Sequence, residues 1–97
     1  MAAAINEPYV LRLYVTDASP KSARAIVNAR RLLEEHLRDQ YCLEILSIAE
    51  NVAQAMADQI VCAPTLLRLA PAPARRIIGD MSDAERVLKG LDVPTAR

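Results

Sequence analysis

The sequence predicts an α/β domain whose elements run β-α-β-α-β-β-α, and three observations predict it. Two short apolar runs rich in β-formers, at residues 9–15 and 42–48, flank a long amphipathic stretch. A second helical pattern is broken at Ala63-Pro64-Thr65, because proline disfavours helical geometry in the residue before it. Two further short apolar runs, 65–69 and 75–78, are separated by little more than Pro71-Ala72-Pro73 and precede a last helix with its own start signal.

The first run, Tyr9-Val10-Leu11-Arg12-Leu13-Tyr14-Val15, is almost continuously apolar with one arginine, the pattern of a buried strand. Ser19 is a good N-cap and Pro20 suits the first helical position, so a helix starts there and runs to about Leu37. Ile26, Ala29, Leu33 and Leu37 form its apolar stripe, while Arg30 with Glu34 and Arg31 with Glu35 read as solvated pairs on the other side. Strand, long helix, strand is a βαβ unit, so the strands at 9–15 and 42–48 are expected to be parallel with a right-handed crossover. Asn51 caps a second helix over 52–61, with Val52, Met56 and Ile60 on one stripe. The strands at 65–69 and 75–78 are too closely joined to be anything but antiparallel. Ser82-Asp83-Ala84-Glu85 matches a capping box and opens a helix through about Leu91, with Gly90 inside or at its end. This is the element order of thioredoxin.

With 97 residues the chain has room for one domain over 1–97, its ordered core spanning about 8–92. Hydrophobic residues make up 53% and charged residues 25%, the balance of a globular rather than a disordered chain. A domain of this size buries only about two thirds of its unfolded surface, so self-association or a partner adds much of its stability. Twelve basic residues balance twelve acidic ones, and the three aromatics are all tyrosines, which argues against nucleic acid as a partner. The start of the chain has no signal-peptide pattern and no stretch is apolar enough to span a membrane, so a cytoplasmic location with no membrane partner is expected. Cys42 and Cys62 then read as free, small buried thiols.

In a thioredoxin-like fold a reactive Cys-x-x-Cys opens the first helix, where the helix dipole lowers the thiol pKa. Ser19-Pro20-Lys21-Ser22 stands there instead, with hydroxyls in place of both sulfurs and no nearby histidine to activate them. Thiol-disulfide exchange is excluded at that place. Cys62, two residues before Pro64, is the remaining redox candidate. His36 is the sole histidine, so there is no metal-ligand set and no Ser/His/Asp arrangement. With Gly79 and Gly90 as the only glycines, a phosphate-cradling loop has no material, and no cofactor is expected.

These residues also carry a family likeness. The opening strand with Ser19-Pro20-Lys21-Ser22-Ala23-Arg24-Ala25, the Ala63-Pro64-Thr65-Leu66 strand entry, and above all Arg75-Arg76-Ile77-Ile78-Gly79-Asp80-Met81-Ser82 with the 86–92 helix resemble KaiB circadian clock proteins. The resemblance runs without gaps from about Tyr9 to Asp92. It implies a regulatory protein without catalysis, a KaiC-like ring ATPase as partner, and, in cyanobacteria, KaiA and output kinases. It also implies metamorphism: a ground state ordered β-α-β-β-α-α-β, dimeric or tetrameric, exchanging with a rare thioredoxin-like monomer that binds KaiC. Gly90 and Asp92 match its fold-switch positions and Pro64 its switching segment. Arg24, Arg68, Arg75 and Arg76 match its basic positions, candidates for an acidic partner surface.

Two departures bear on partners. The sequence stops at Pro94-Thr95-Ala96-Arg97 without an acidic tail, and Glu44 and Gln59 stand where cyanobacterial members often carry lysine. KaiA binding is therefore in doubt, and an hourglass timer or a stress pathway fits as well as a full oscillator. The expected function is regulation of a KaiC-like ATPase, the alternatives being a thioredoxin-like redox or stress-response protein using Cys62 and a sensor module.

Overall fold

The computed structural model describes residues 8–93; the readings on the chain start and on residues 94–97 lie outside them. Seven elements follow in the expected order: β1 (Tyr9–Val15), α1 (Pro20–His36), β2 (Tyr41–Ser47), α2 (Val52–Ala57), β3 (Thr65–Ala70), β4 (Arg75–Ile78) and α3 (Ala84–Leu91). The strands form one sheet in the order β2-β1-β3-β4. β1 and β2 are parallel, as a βαβ crossover demands, while β1–β3 and β3–β4 are antiparallel.

Alternation along β1 divides the core between the two faces of the sheet. Leu11, Leu13 and Val15 enter the larger cluster, which α1 covers with Ala25, Ala29, Leu32, Leu33 and Leu37, and α3 with Val87, Leu88 and Leu91. Tyr14 points the other way, into a smaller cluster with Leu67 of β3 and Ala55 of α2. Ser19 caps α1 as expected, its hydroxyl accepting the Ser22 amide at 3.2 Å, with Pro20 at the first helical position. On the solvent side Glu34 faces Arg38 at 3.8 Å and the Tyr41 hydroxyl at 3.0 Å, rather than making the pair with Arg30 that spacing suggested.

Boundaries differ from the sequence expectation in four places, the least of them β3, which ends at Ala70 rather than Leu69. β2 starts and ends one residue earlier, at Tyr41–Ser47. α2 ends at Ala57 rather than about Val61, because Gln59 turns left-handed (φ 57°). Its amide then bonds Met56 O and the Ile60 amide bonds Ala55 O, the paired return bonds of a Schellman close. As a result the Val52–Met56–Ile60 stripe is split: Ile60 packs half-buried against the smaller cluster beside Ala55, the buried residue of α2, while Val52 and Met56 are 54% and 73% exposed. Finally, Asp83 rather than Ser82 caps α3, its Oδ1 accepting the Arg86 amide at 3.1 Å. The Ser82 amide is already held by Asp80 Oδ1 at 3.1 Å, which places the cap one residue later.

Candidate functional site

At the mouth between β1 and α1, an open groove of about 470 Å³ is lined by Thr16, Asp17, Ser19, Ser22 and Ile26 among others. This is where a thioredoxin-like fold carries its chemistry. Both hydroxyls there are committed to structure. Ser19 caps the helix, and Ser22, 2% exposed, accepts the Thr16 amide at 3.1 Å and lies 3.4 Å from the Thr16 hydroxyl. No base stands among these partners, so neither oxygen is activated. The two cysteines are exposed, correcting the expectation of buried thiols: Cys42 sits on the edge strand β2, and Cys62 lies in the turn before β3. Cys42 is in register with Val10, whereas β3 begins opposite Tyr14. The two thiols are thus at opposite ends of β1, roughly 13 Å apart along the strand, beyond disulfide reach. Among the described residues no group of three or more His, Cys, Asp or Glu is placed to hold a metal ion, and no helix is long and apolar enough to cross a membrane.

The four arginines singled out by resemblance are not brought together. Arg24 lies on the solvent side of α1, 3.3 Å from Asp80 Oδ2. Arg75 is exposed on β4 and shares the α1/α3 face with Ile77. Arg76 points to the opposite face, donating to Asp58 O and Gln59 O at 3.0 and 2.9 Å. Arg68 is the correction: it is 2% exposed, with Nη1 donating to Leu91 O at 2.6 Å and Nη2 to Pro73 O at 2.7 Å. In this fold its charge braces the end of α3 and the β3–β4 turn from within. It offers nothing to a partner surface.

The three positions matched to fold switching by resemblance, Pro64, Gly90 and Asp92, sit at joints. Pro64 is buried, follows a cis Ala63–Pro64 bond, and its carbonyl accepts the Gly79 amide at 3.0 Å. Gly90 lies where α3 crosses β4; an added Cβ would fall 2.0 Å from Ile77 Cδ1. Asp92 closes α3 in the left-handed region (φ 58°), its amide bonding Lys89 O and that of Val93 bonding Leu88 O, a second Schellman close. A carboxylate there opposes the helix dipole.

The most developed polar cluster lies under α2. Asp58 Oδ2 accepts from the Tyr14 hydroxyl at 2.5 Å and from Arg12 Nη1 at 3.0 Å, and Arg12 Nε reaches Glu44 Oε1 at 3.1 Å. With Arg76 on the Asp58 and Gln59 carbonyls, side chains of β1 and β4 grip the end of α2 directly. Beside the grip, large apolar side chains face solvent: Val52 and Met56, one turn apart on α2, and, beyond the turn, Val61, which is 86% exposed. Sequence reading singled out neither Asp58 nor this patch. The signal was Arg12, a charge in an otherwise apolar strand, which requires a partner once the strand is central.

The cluster has a pH signature. Burial pushes the Tyr14 phenol up to about 12, helped by its bond to the Asp58 carboxylate. Burial alone would raise Asp58, but the bonds from Tyr14 and Arg12 and the Arg12 charge outweigh it and hold the carboxyl below its usual range. A phenol with a raised folded pKa contributes stability that is complete below about pH 10 and lost as pH climbs toward 12. Thermal melts between pH 9 and pH 12 are expected to show this decline, and Tyr14→Phe to flatten it. Asp58 acts in the opposite sense: its contribution is present above the ordinary carboxylate value and disappears as pH falls through the depressed one.

Comparison with known proteins adds sequence kinship to this geometry. The family model described as KaiB domain matches residues 12–93. A circadian clock oscillator protein KaiB from Prochlorococcus marinus (strain MIT 9313) is 47% identical over 88 residues, covering 91% of this chain and 74% of that protein. The circadian clock protein KaiB3 of Synechocystis sp. (strain ATCC 27184 / PCC 6803 / Kazusa) is 48% identical over 84 residues, covering 87% and 82%. Among solved structures, the N-terminal domain of Synechococcus elongatus SasA superposes with a TM-score of 0.69 at 20% identity over 89% of this chain and 85% of its own. Chloroplastic thioredoxin z superposes at 0.68 with 14% identity, over 93% and 82%. At those identities the two structures establish the thioredoxin-like fold.

Proposed function

The chain belongs to the KaiB family, and on that premise we propose that it is a non-catalytic regulator that binds a KaiC-like ring ATPase and modulates its cycle in a circadian clock or timer. The observation that carries this reading is the match to KaiB clock proteins over nearly the whole chain. The committed hydroxyls of Ser19 and Ser22 support the absence of catalysis. The exposed Val52, Met56 and Val61, bordered by Arg76, give such a binder an apolar centre with a basic rim. Arg24 and Arg75 serve as outlying contacts to an acidic surface. The protein acts in the cytoplasm, with no cofactor.

The same reading makes the thioredoxin-like arrangement one of two. In the other, β-α-β-β-α-α-β, the protein is a dimer or tetramer, and Gly90, Asp92 and Pro64 bias the exchange. A binding form populated at fraction f has its apparent affinity reduced by that fraction, which makes association slow and suits a timing device. Chemical shifts over residues 52–91 report which arrangement is populated.

The decisive experiment is size-exclusion chromatography of the protein with its cognate KaiC-like ATPase and nucleotide after long incubation. Co-elution is expected, and its absence retires the proposal. Met56→Ser combined with Val52→Ser is expected to weaken binding by about tenfold or more, since both remove apolar surface from the centre of the patch. These side chains are exposed, so the variant's own melting temperature should hardly move.

A further inference from the structure

α2 has little apolar hold on the sheet. It is six residues long and buries Ala55 alone, while its larger side chains, Val52 and Met56, face solvent. Its C-terminal end carries a dense set of polar bonds instead. Tyr14 and Arg12 of β1 both donate to Asp58 Oδ2, Arg12 is itself oriented by Glu44 of β2, and Arg76 of β4 spans the Asp58 and Gln59 carbonyls. Two of the four strands therefore reach the residue that closes this short helix, and a third orients one of its partners. These bonds are part-buried where they meet Asp58, and bonds to a charged group in such a setting are individually strong.

From this convergence we propose that Asp58 is a latch: its carboxylate, bonded to Tyr14 and Arg12, holds α2 docked on the sheet and thereby sets whether the Val52–Met56–Val61 patch is presented. Releasing the latch frees α2 with the turn after it while leaving the larger core intact. α1 and α3 pack on the opposite face and share no residue with the smaller cluster. Local opening of an element with few buried contacts is the low-cost motion available to a domain of this kind. The link from latch to patch rests on the docking reading above; the latch itself does not.

Amide hydrogen exchange on the full chain, in wild type, Asp58→Asn and Tyr14→Phe, tests the latch. The reporters are the Ala55, Asp58 and Ile60 amides, bonded to Asn51 O, Gln54 O and Ala55 O. In Asp58→Asn their protection is expected to fall by about tenfold or more, the ratio that losing a bond to a charged group commands, with α1 and β1 amides unchanged. Tyr14→Phe keeps the ring that fills the small cluster and deletes only the donor, so it is expected to give a smaller loss of the same pattern. Should Asp58→Asn fail to fold, Tyr14→Phe decides alone. Unchanged α2 protection, or loss spread equally over α1 and β1, overturns the latch. Loss confined to α2 with ring-ATPase binding unaffected upholds the latch and overturns α2 as the docking face.

Discussion

Arg68→Ala is expected to destabilise this fold by about 3 kcal/mol, read as a lowered urea midpoint. Two losses add. A long side chain leaves a nearly sealed site, and large-to-small changes in such sites cost about 2–5 kcal/mol. The carbonyls of Leu91 and Pro73 also lose their donors at 2.6 and 2.7 Å. One gain opposes them: among the described residues the guanidinium has only carbonyls for partners and its Nε has none, so removing it relieves a buried charge that no described carboxylate balances. Arg68→Met separates these effects by keeping most of the volume while dropping both the charge and the donors. A cost of about half that of alanine is expected. If methionine proves as damaging as alanine, the two carbonyl bonds dominate; if it is neutral, Arg68 acts by filling space. Either variant should loosen the end of α3 and the β3–β4 turn first, since those are what the side chain joins.

The contrast between Arg68 and Ser19 shows which parts of this molecule can be read from its sequence. Ser19-Pro20 is a local signal: cap, first-turn proline and apolar stripe lie within one helix, and the structure keeps all of them. The strand order follows equally locally, from a long crossover that forces a parallel pair and a short turn that forces an antiparallel one. Arg68 carries no local sign of burial. It is buried because α3 ends over β3 and offers a carbonyl 23 residues away in sequence. Asp58 is the same case, its partners Tyr14 and Arg12 lying 44 and 46 residues away. The α2 stripe is split for a related reason. Period 3.6 identifies an apolar side of a helix, but what that side packs against depends on the grip at the helix end, and here the grip turns Ala55 inward. The shift of the α3 cap from Ser82 to Asp83 is smaller and local: two good caps stood side by side, and Asp80 had already taken the Ser82 amide.

Gly90 and Ile77 are expected to be coupled by about 1–2 kcal/mol in a double-mutant cycle. Alanine at position 90 gains up to about 1 kcal/mol of helix propensity, which alone would stabilise α3. Its Cβ, however, would meet Ile77 at 2.0 Å from Cδ1 and 3.1 Å from Cγ1. Ile77 is 7% exposed within the larger cluster, so its terminal methyl has little room to yield. Overpacking of this kind typically costs about 1–3 kcal/mol, so Gly90→Ala alone should change stability little. Ile77→Val removes Cδ1 at a cost of about 1 kcal/mol. In that background Gly90→Ala should become stabilising, making the double variant more stable than the two single effects predict. A cycle that closes to zero would mean that Ile77 rotates aside freely and that Gly90 exerts its influence elsewhere, such as in a second arrangement of this half. The contact exists only where α3 lies on β4. A measured coupling therefore reports on this arrangement alone, and chemical shifts of the four proteins in the cycle would show whether the energy changes the fold's stability or its share of the population.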